Sequence, residues 1–357
     1  MSKTIVKKIG QKSGPVRRKT VSASQRDWVK TELLFEDRAI PLVIRPAMEG
    51  IDLVEWVGNN RDYIEELYAE HRALLFRGFQ VPDVSAFHAF SMAASNGQML
   101  EYKDRTTPRT SKKDGVYTST IHPADQRINL HNEGTYWLAW AQRIFFGSLV
   151  VPDEGGATPI ADVRNVYKHI DPEIRDKFIE KKWALVRNYN DGFGLPWQEV
   201  YQTEDKAEVE EYCTANDIDF EWKDGGRLHT QSIRPAVRIH PETGEPLWFN
   251  HIAFFHYTTL DSKVQESLLA EFGVEGLPYN TCYGDGTQIE PDVAEHLRQA
   301  YQKEFVAFLW EKGDVTLLDN MAIAHAREPY KGDREVVVCM TDAISGSDLA
   351  DETSLHS

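Results

Sequence analysis

Hydrophobic residues recur along the chain with two different periods, and the first of these predicts helices. Between residues 51 and 72 apolar side chains recur at helical spacing, interrupted at Gly58-Asn59-Asn60, so the pattern indicates one long helix or two shorter ones. The run Ala73-Leu74-Leu75-Phe76 that follows is typical of a buried strand. Further helices are predicted at 84–95, 171–182, 205–216, 262–272 and 292–303.

From residue 115 onward, short apolar runs separated by turn residues predict a series of strands. These runs lie at 115–121, 128–133, 143–151, 157–161, 183–189, 236–240, 247–255, 305–310, 315–318 and 335–341. Their irregular spacing does not match the regular βαβ alternation of a parallel sheet. The sequence therefore predicts a mainly β protein with helical insertions, built on an antiparallel double sheet.

The domain organisation follows from the same pattern. We expect a single domain over residues 26–357, with helical insertions at roughly 165–182, 200–230 and 260–304. Residues 1–25 form a polar, basic segment with two glycines and a proline, which is typical of a disordered tail.

Composition narrows the class of protein. The 357 residues carry a formal net charge of −16, although seven of the 40 Lys and Arg residues lie in the first 19 positions. The body of the chain is therefore strongly acidic and would repel nucleic-acid phosphate. No window is apolar enough to span a membrane. Three widely separated cysteines favour a reducing compartment, so we expect a cytoplasmic protein that binds neither nucleic acid nor membrane.

Two histidines stand out from the other ten because of their surroundings. His131 and Glu133 are two residues apart in a strand-like run, and this spacing would place both side chains on one face. His325 follows an apolar strand and a turn much later in the chain. Two imidazoles and one carboxylate leave coordination positions open, which suits non-haem Fe(II) better than a closed structural zinc site. Histidines 229, 240, 251 and 256 are expected to be structural.

Two further residues fit the same chemistry. Thr158 follows the double-glycine turn at Gly155-Gly156, and Arg334 opens the apolar strand that follows His325. A dicarboxylate such as 2-oxoglutarate needs its distal carboxylate held, and a guanidinium with a hydroxyl can do this.

With these residues in place, the chain resembles the Fe(II)/2-oxoglutarate dioxygenases of the taurine dioxygenase and clavaminate synthase-like group. The segments that carry the resemblance are LHNEGTY, VVPDEGGATPIADVRNVY, HPETGEPLWFN and DNMAIAHAREPYKGDREVVV. They are most similar to the branch that hydroxylates amino acids for nonribosomal peptides, of the syringomycin-pathway aspartyl hydroxylase type. The resemblance implies a double-stranded β-helix, or jelly roll, flanked by helices. It also implies that His131, Glu133 and His325 bind Fe(II), and that Thr158 and Arg334 contact 2-oxoglutarate, with O₂ as the second co-substrate.

The implied activity is hydroxylation of an unactivated C–H bond of an amino acid, free or tethered to a carrier protein, in natural-product biosynthesis. Succinate and CO₂ would be the co-products. A carboxylate at Glu133 disfavours halogenation, whereas desaturation and cyclisation stay open. Two alternatives from other classes are a non-catalytic jelly-roll binding protein and a zinc hydrolase with the same ligands.

The sequence is least informative about the substrate and the oligomeric state. Candidate substrate contacts lie in the polar segment before the core strands, beside the metal motif and after the second histidine: Tyr102, Arg105, Arg109, Asn132, Thr135 and Arg327. Relatives carry two arginines close together after the last histidine, whereas this chain has Arg327, Lys331 and Arg334 there, so the contact for a substrate anion stays open.

Overall fold

The structure is a computed structural model that describes residues 25–97, 99–100, 111–113, 115–118, 122–189 and 194–349. The predicted basic tail, apart from its last residue, lies outside the described residues, as do the candidate substrate contacts Tyr102, Arg105 and Arg109.

Strands and helices alternate irregularly along the described chain. The strands are β1 (Val29–Leu33), β2 (Leu42–Pro46), β3 (Ala73–Phe76), β4 (Ser111–Lys113), β5 (Val116–Thr118), β6 (Ile128–His131), β7 (Ala139–Val150), β8 (Glu154–Gly155), β9 (Ile160–Asp162), β10 (Trp183–Tyr189), β11 (Ile218–Trp222), β12 (Leu228–Arg234), β13 (Arg238–Ile239), β14 (Pro246–Leu247), β15 (Tyr279–Tyr283), β16 (Val315–Asp319), β17 (Ile323–Arg327), β18 (Tyr330–Lys331) and β19 (Glu335–Ser345). The helices are α1 (Leu53–Asn59), α2 (Arg61–His71), α3 (Val84–Ala93), α4 (Val163–His169), α5 (Pro172–Lys181), α6 (Trp197–Tyr201), α7 (Lys206–Ala215), α8 (Ile252–Phe255), α9 (Ser262–Phe272) and α10 (Pro291–Lys303).

The largest sheet has eight strands in the order β1-β2-β3-β16-β7-β19-β5-β4. Strands β2 and β3 are parallel, and the other pairs in this sheet are antiparallel. Smaller sheets are β11-β12-β10-β15, β6-β17-β9, β13-β14 and β8-β18. The prediction of a mainly antiparallel β protein with helices is confirmed, and the described strands form separate sheets rather than a closed barrel.

The central strands of the large sheet are buried on both faces. In β3, Leu74 and Phe76 belong to a core cluster shared with helices α1 to α3, whereas Ala73 and Leu75 belong to the cluster that extends to the second sheet. Alternate side chains of a strand point to opposite faces, so an all-apolar strand indicates a sheet covered on both sides. This explains why the apolar run at 73–76 predicted a buried strand correctly.

Aspartates mark the beginnings of most helices. The side chain of the residue before each helix accepts a hydrogen bond from a backbone amide of the first turn, which satisfies one of the donors that a helix leaves unpaired. These capping residues are Asp52, Asp83, Asp162, Asp171, Asp205 and Asp261. The interruption at Asn60 separates α1 from α2, so of the two alternatives left open by the sequence the chain forms two shorter helices.

Two predicted strands are wrong. The segment 247–255 contains only the end of β14, and its second half is the short helix α8. Both halves are buried, and a short apolar run that is buried on all sides does not distinguish helix from strand. The segment 305–310 is irregular and contributes one isolated bridge, between Val306 and Ile160.

The second sheet adds strands that the hydrophobic pattern did not predict. The segment 200–230 holds α7 but also β11 and the beginning of β12, and the segment 260–304 holds β15 between α9 and α10. Together with β10 these strands form a four-stranded antiparallel sheet. Within the described residues, no helix combines the length and the apolar character needed to cross a membrane.

Candidate metal centre and its cavity

The two histidines singled out in the sequence lie side by side in the structure. Strands β6 and β17 are antiparallel neighbours, and His131 is the register partner of His325. Their ring centroids are 4.5 Å apart. On its other edge β17 pairs with β9, where His325 is the partner of Ile160. The sheet register therefore fixes both imidazoles on one side of the three-stranded sheet.

Glu133 reaches the same point by a turn rather than by strand alternation. Strand β6 ends at His131, and the chain turns at Gly134, whose φ of +73° is in the left-handed region. A β-carbon at this glycine would collide with the ring of Trp137. The turn is held by Asn320, whose Oδ1 accepts from the Glu133 amide at 2.8 Å and whose Nδ2 donates to the Glu133 carbonyl at 2.9 Å.

The three side chains form a compact set of donor atoms. One ligand atom from each of His131, Glu133 and His325 lies within 4.8 Å of the others. Their exposed fractions are 9 %, 6 % and 5 %. Nδ1 of His131 is 2.8 Å from the carbonyl oxygen of Asn129, to which it donates, and this leaves Nε2 with the lone pair that a metal needs. Two neutral imidazoles and a carboxylate are a donor set that fits Fe(II).

A buried polar network supports the turn between β16 and β17. The carboxylate of Asp319 accepts from the amides of Met321 and Ala322 at 3.0 and 3.2 Å, from His240 Nε2 at 2.9 Å and from Arg72 at 3.2 Å. Burial alone would raise the pKa of Asp319, but the hydrogen bond from His240 and the charge of Arg72 lower it below its ordinary value. The network therefore fixes the start of the strand that carries the second histidine.

The two residues predicted to hold a dicarboxylate lie next to the same three-stranded sheet. Thr158 is two residues before the Ile160 that pairs with β17, and its hydroxyl accepts from the indole of Trp310 at 2.8 Å. Because that contact uses the oxygen as an acceptor, the hydroxyl proton can be donated elsewhere. Arg334 Nε is 3.4 Å from the Gly156 carbonyl, so both side chains border the 156–158 segment. The structure thus brings Thr158 and Arg334 to one place.

A cavity of about 780 Å³ opens beside the metal centre. Its lining includes His131, Glu133, Arg187, Tyr189, His251 and Tyr279. Exposed lining residues, among them Arg127 and Asp261, mark its opening to solvent. A volume of this size accommodates a small molecule.

A third histidine, His251, lines the cavity beside the metal centre. Its ring centroid is 5.6 Å from that of His131. The hydroxyl of Thr135 forms a hydrogen bond with its Nδ1. Burial lowers the pKa of His251 well below its ordinary value, so its imidazole is neutral. Thr135 therefore orients a cavity residue, although we predicted it as a substrate contact in its own right.

Two further candidate substrate contacts, Asn132 and Arg327, occupy structural positions. Asn132 is buried, and its Nδ2 donates to the Asn320 carbonyl at 2.7 Å, which joins β6 to the turn before β17. Arg327 donates from Nη1 to the His122 carbonyl at 3.0 Å and from Nη2 to the Gln126 carbonyl at 2.8 Å. That arginine thereby holds the loop whose residues line the cavity.

Sequence reasoning missed three residues of this site. His251 was expected to be structural, and Arg187 and Asn320 were not singled out. Arg187 had a visible signal, because it is the one charged residue in the mostly apolar run Trp183–Tyr189. Asn320 precedes the strand of His325 and had no signal beyond its place in a turn.

Comparison with known proteins identifies the family. Residues 36–340 match the family described as "Taurine catabolism dioxygenase TauD, TfdA family". The chain is 39 % identical over 281 residues to the dapdiamide synthesis protein DdaC of Enterobacter agglomerans, covering 79 % of this chain and 85 % of DdaC. It is 27 % identical over 324 residues to a clavaminate synthase-like protein of Arabidopsis thaliana, covering 86 % of this chain and 94 % of that protein.

Solved structures agree on the fold. PvcB, described as an Fe, alpha-ketoglutarate dependent oxygenase from an isonitrile synthetic pathway, superposes with a TM-score of 0.52 at 15 % sequence identity, over 94 % of this chain and 98 % of PvcB. A second structure of PvcB, from Pseudomonas aeruginosa, gives a TM-score of 0.53 at 14 % identity, over 93 % and 98 %.

Fold and donor set define a non-haem iron oxygenase class. The chain belongs to the TauD/TfdA family, and it is an Fe(II)- and 2-oxoglutarate-dependent dioxygenase. The resemblance found in the sequence is confirmed. Family membership sets aside the two alternatives from other classes, the non-catalytic binding protein and the zinc hydrolase.

Proposed function

We propose that His131, Glu133 and His325 are the protein ligands of the iron. The observation that carries the proposal is the convergence of one donor atom from each residue within 4.8 Å, although His325 is remote in sequence. Sheet register places the imidazoles, and Asn320 places the backbone of Glu133. When bound, Fe(II) supplies the chemistry that couples decarboxylation of 2-oxoglutarate to oxidation of a C–H bond.

The distal carboxylate of 2-oxoglutarate is held by Arg334 and Thr158. Burial, together with the charge of Arg327, lowers the pKa of Arg334 to about 10, so its guanidinium is still a cation at neutral pH. A carboxylate matches the planar fork of donors on a guanidinium and can accept two hydrogen bonds from it. The hydroxyl of Thr158 supplies a second donor beside it.

The reaction is hydroxylation of an unactivated C–H bond in a small amino-acid-like molecule, with succinate and CO₂ as co-products. The similarity to a protein named for dapdiamide synthesis supports a role in natural-product biosynthesis. The cavity of about 780 Å³ next to His131 and Glu133 offers space for such a molecule. The residues around it exclude water and fix which C–H bond lies nearest the iron.

We also propose the fold, the domain bounds and the cellular location that the sequence led us to expect. The sheets form the jelly roll of a single dioxygenase domain over residues 26–357, and the PvcB superposition supports this arrangement. All three cysteines are buried thiols, which is consistent with the cytoplasm. The substrate is either free or presented by a carrier protein.

Anaerobic reconstitution with Fe(II) and 2-oxoglutarate tests the proposal. We expect a weak visible charge-transfer band that disappears in His131→Ala and in His325→Ala. Folded, iron-loaded protein without the band would contradict the assignment of the co-substrate site. After a substrate is found by succinate release, the product mass separates hydroxylation, which adds one oxygen atom, from desaturation or cyclisation, which removes two hydrogens.

A further inference from the structure

The four-stranded sheet, of which only β10 was predicted from the sequence, forms a wall of the cavity. Arg187 on β10 is the register partner of Tyr279 on β15, and Tyr189 lies two residues further along β10. Opposite residues on neighbouring strands and residues two apart share one face of a sheet. All three line the cavity that also contains His131 and Glu133. This face of the sheet is therefore turned towards the metal centre.

Arg187 is buried in this wall and held in a defined position. Its side chain is 7 % exposed. Nη1 donates to the hydroxyl of Tyr189 at 3.0 Å, and the guanidinium carbon lies 5.0 Å from the ring centre of Tyr136. Contacts of this kind fix the plane of the guanidinium, which is a permanent cation with a planar fork of donors.

The exposed charged residues of the cavity have structural functions at its opening. Arg127 forms an ion pair with Glu328 at 2.9 Å. Asp261 caps helix α9 by accepting from the Lys263 amide at 3.0 Å. Arg187 is buried inside the cavity, where Tyr189 and Tyr279 lie on the same face of the sheet.

We infer that Arg187 receives a carboxylate of the substrate, so the substrate is a small molecule with a free carboxylate attached to an apolar chain. The inference rests on the proposed function, since it assigns the orientation of the substrate at that site. The aromatic wall formed by Phe254, Phe255 and Tyr279 packs against the chain, and Arg187 fixes its end. A molecule whose only carboxyl group is consumed in a thioester cannot make this contact.

Binding measurements on the full chain test the inference without turnover. The probes are the free L-amino acids, their N-acetyl derivatives and the methyl ester of each, titrated calorimetrically with and without Mn(II) and 2-oxoglutarate. We expect at least one acid to bind about ten- to a hundredfold more tightly than its ester, as for a hydrogen-bonded charge pair. If the α-methyl esters of aspartate and glutamate bind tightly and the other esters do not, the contact is with a side-chain carboxylate instead of the α-carboxylate.

Variants distinguish a contact with the ligand from a structural effect. Arg187→Gln should lower the affinity for the acid to that of the ester and leave the ester unchanged, and Arg187→Lys should lie between. Arg45→Gln is the matched control, because Arg45 pairs with Glu32 at 3.1 Å and is not among the residues that line the cavity; it should bind like the wild type. Equal affinities for acids and esters, an equal loss for both in Arg187→Gln, or no Arg187-dependent binding in the whole panel would each overturn the inference.

The same titrations separate this inference from the proposed function. Binding of 2-oxoglutarate in the presence of Mn(II) reports on the co-substrate site, and we expect Arg187→Gln to retain it. If 2-oxoglutarate binds and acids are not preferred, the inference fails and the proposed function stands. If 2-oxoglutarate does not bind, the proposed function fails, and the series without Mn(II) and 2-oxoglutarate still decides whether Arg187 binds carboxylates.

Discussion

His131 and His325 are direct partners across two antiparallel strands, with ring centroids 4.5 Å apart. A shift of one residue in this register would move one imidazole to the opposite face of the sheet. The pairing of β6 with β17 therefore determines whether a metal site exists at all. The polar contacts of Asp319 and Asn320, which fix the turn before β17, act on the same register.

Replacing either histidine should abolish tight iron binding. We expect His131→Ala and His325→Ala to lower Fe(II) affinity by more than about a hundredfold, because loss even of a residue that only supports a ligand costs about 10–100-fold. Anaerobic equilibrium dialysis of Fe(II) measures this. His88→Ala, on helix α3, serves as the control and should bind iron normally. Unchanged affinity in both site variants would remove the two residues from the metal centre.

Asn320 should matter for the metal although it carries none of the proposed ligand atoms. In Asn320→Ala the amide and the carbonyl of Glu133 both lose a buried partner, as does the carbonyl of Ala141. We expect Fe(II) affinity to fall about 10–100-fold and the free energy of unfolding to fall by about 1–3 kcal/mol per unpaired group. Dialysis and urea unfolding measure the two effects.

A second buried asparagine separates these two effects. Asn280 accepts from the Tyr257 amide at 3.1 Å and donates to Gln288 at 3.2 Å, away from the turn of Glu133. Asn280→Ala should reduce stability while retaining iron affinity. If both variants lose stability and neither loses iron affinity, Asn320 supports the fold alone.

The fold was predictable where burial follows a simple period. The helices α1 and α2 followed from the spacing of their apolar residues, and strand β3 followed from its continuous apolar run. The strand β11 was missed although Ile218, Phe220 and Trp222 alternate with polar residues, which is the pattern of a half-buried strand. Its partner β12 pairs in turn with β10, which is remote in sequence. The helix α8 was missed because its residues are almost uniformly apolar.

The sequence predicted the side chains that form the candidate metal centre, but it did not predict the residues that surround them. His131, Glu133 and His325 were recognisable because few reactions use that set of side chains. The position of Glu133 was predicted on a strand and is in a turn, which one glycine at position 134 makes possible. Arg187 is the one charged residue of its strand, but its position beside the metal centre depends on the second sheet.

Arg334 should determine the affinity for 2-oxoglutarate. We expect Arg334→Gln to weaken 2-oxoglutarate binding about ten- to a hundredfold, because hydrogen bonds to charged groups contribute about 1.5–3 kcal/mol. Titration of the charge-transfer band with 2-oxoglutarate measures the change. Lys331→Gln removes a nearby charge that pairs with Glu154 in solvent and should leave the affinity unchanged. An equal effect of the two variants would point to long-range charge instead of contact.

Thr158→Val should have a smaller effect on the same titration. The change removes the hydroxyl with little change in volume, and a neutral hydrogen bond contributes about 0.5–1.5 kcal/mol, so we expect a loss of about two- to tenfold. The variant also removes the acceptor of the Trp310 indole, and urea unfolding measures the resulting loss of stability. A stability loss without a change in 2-oxoglutarate affinity would limit Thr158 to a structural function.

His256 should make the protein less stable in mild acid. It is fully buried, and burial, followed by the charge of Arg298, lowers its pKa to about 4. Nδ1 accepts from the Thr258 hydroxyl at 2.7 Å, and Nε2 donates to the Ile289 carbonyl at 3.3 Å, which is the pattern of a neutral ring. The unfolded chain takes up a proton near its ordinary pKa of about 6.5, whereas the folded chain does not.

The neutral His256 therefore lowers the free energy of unfolding very little above about pH 6.5. As the pH falls from 6.5 towards 4 the free energy of unfolding decreases, by about 3 kcal/mol in total for this group. Between pH 7 and pH 5 we expect it to contribute about 2 kcal/mol of the decrease in the free energy of unfolding. Urea unfolding at both pH values measures the decrease. In His256→Gln the decrease should be smaller by that amount, because the other titrating groups are unchanged. The same decrease in both proteins would mean that His256 takes up a proton in the folded state as readily as in the unfolded one.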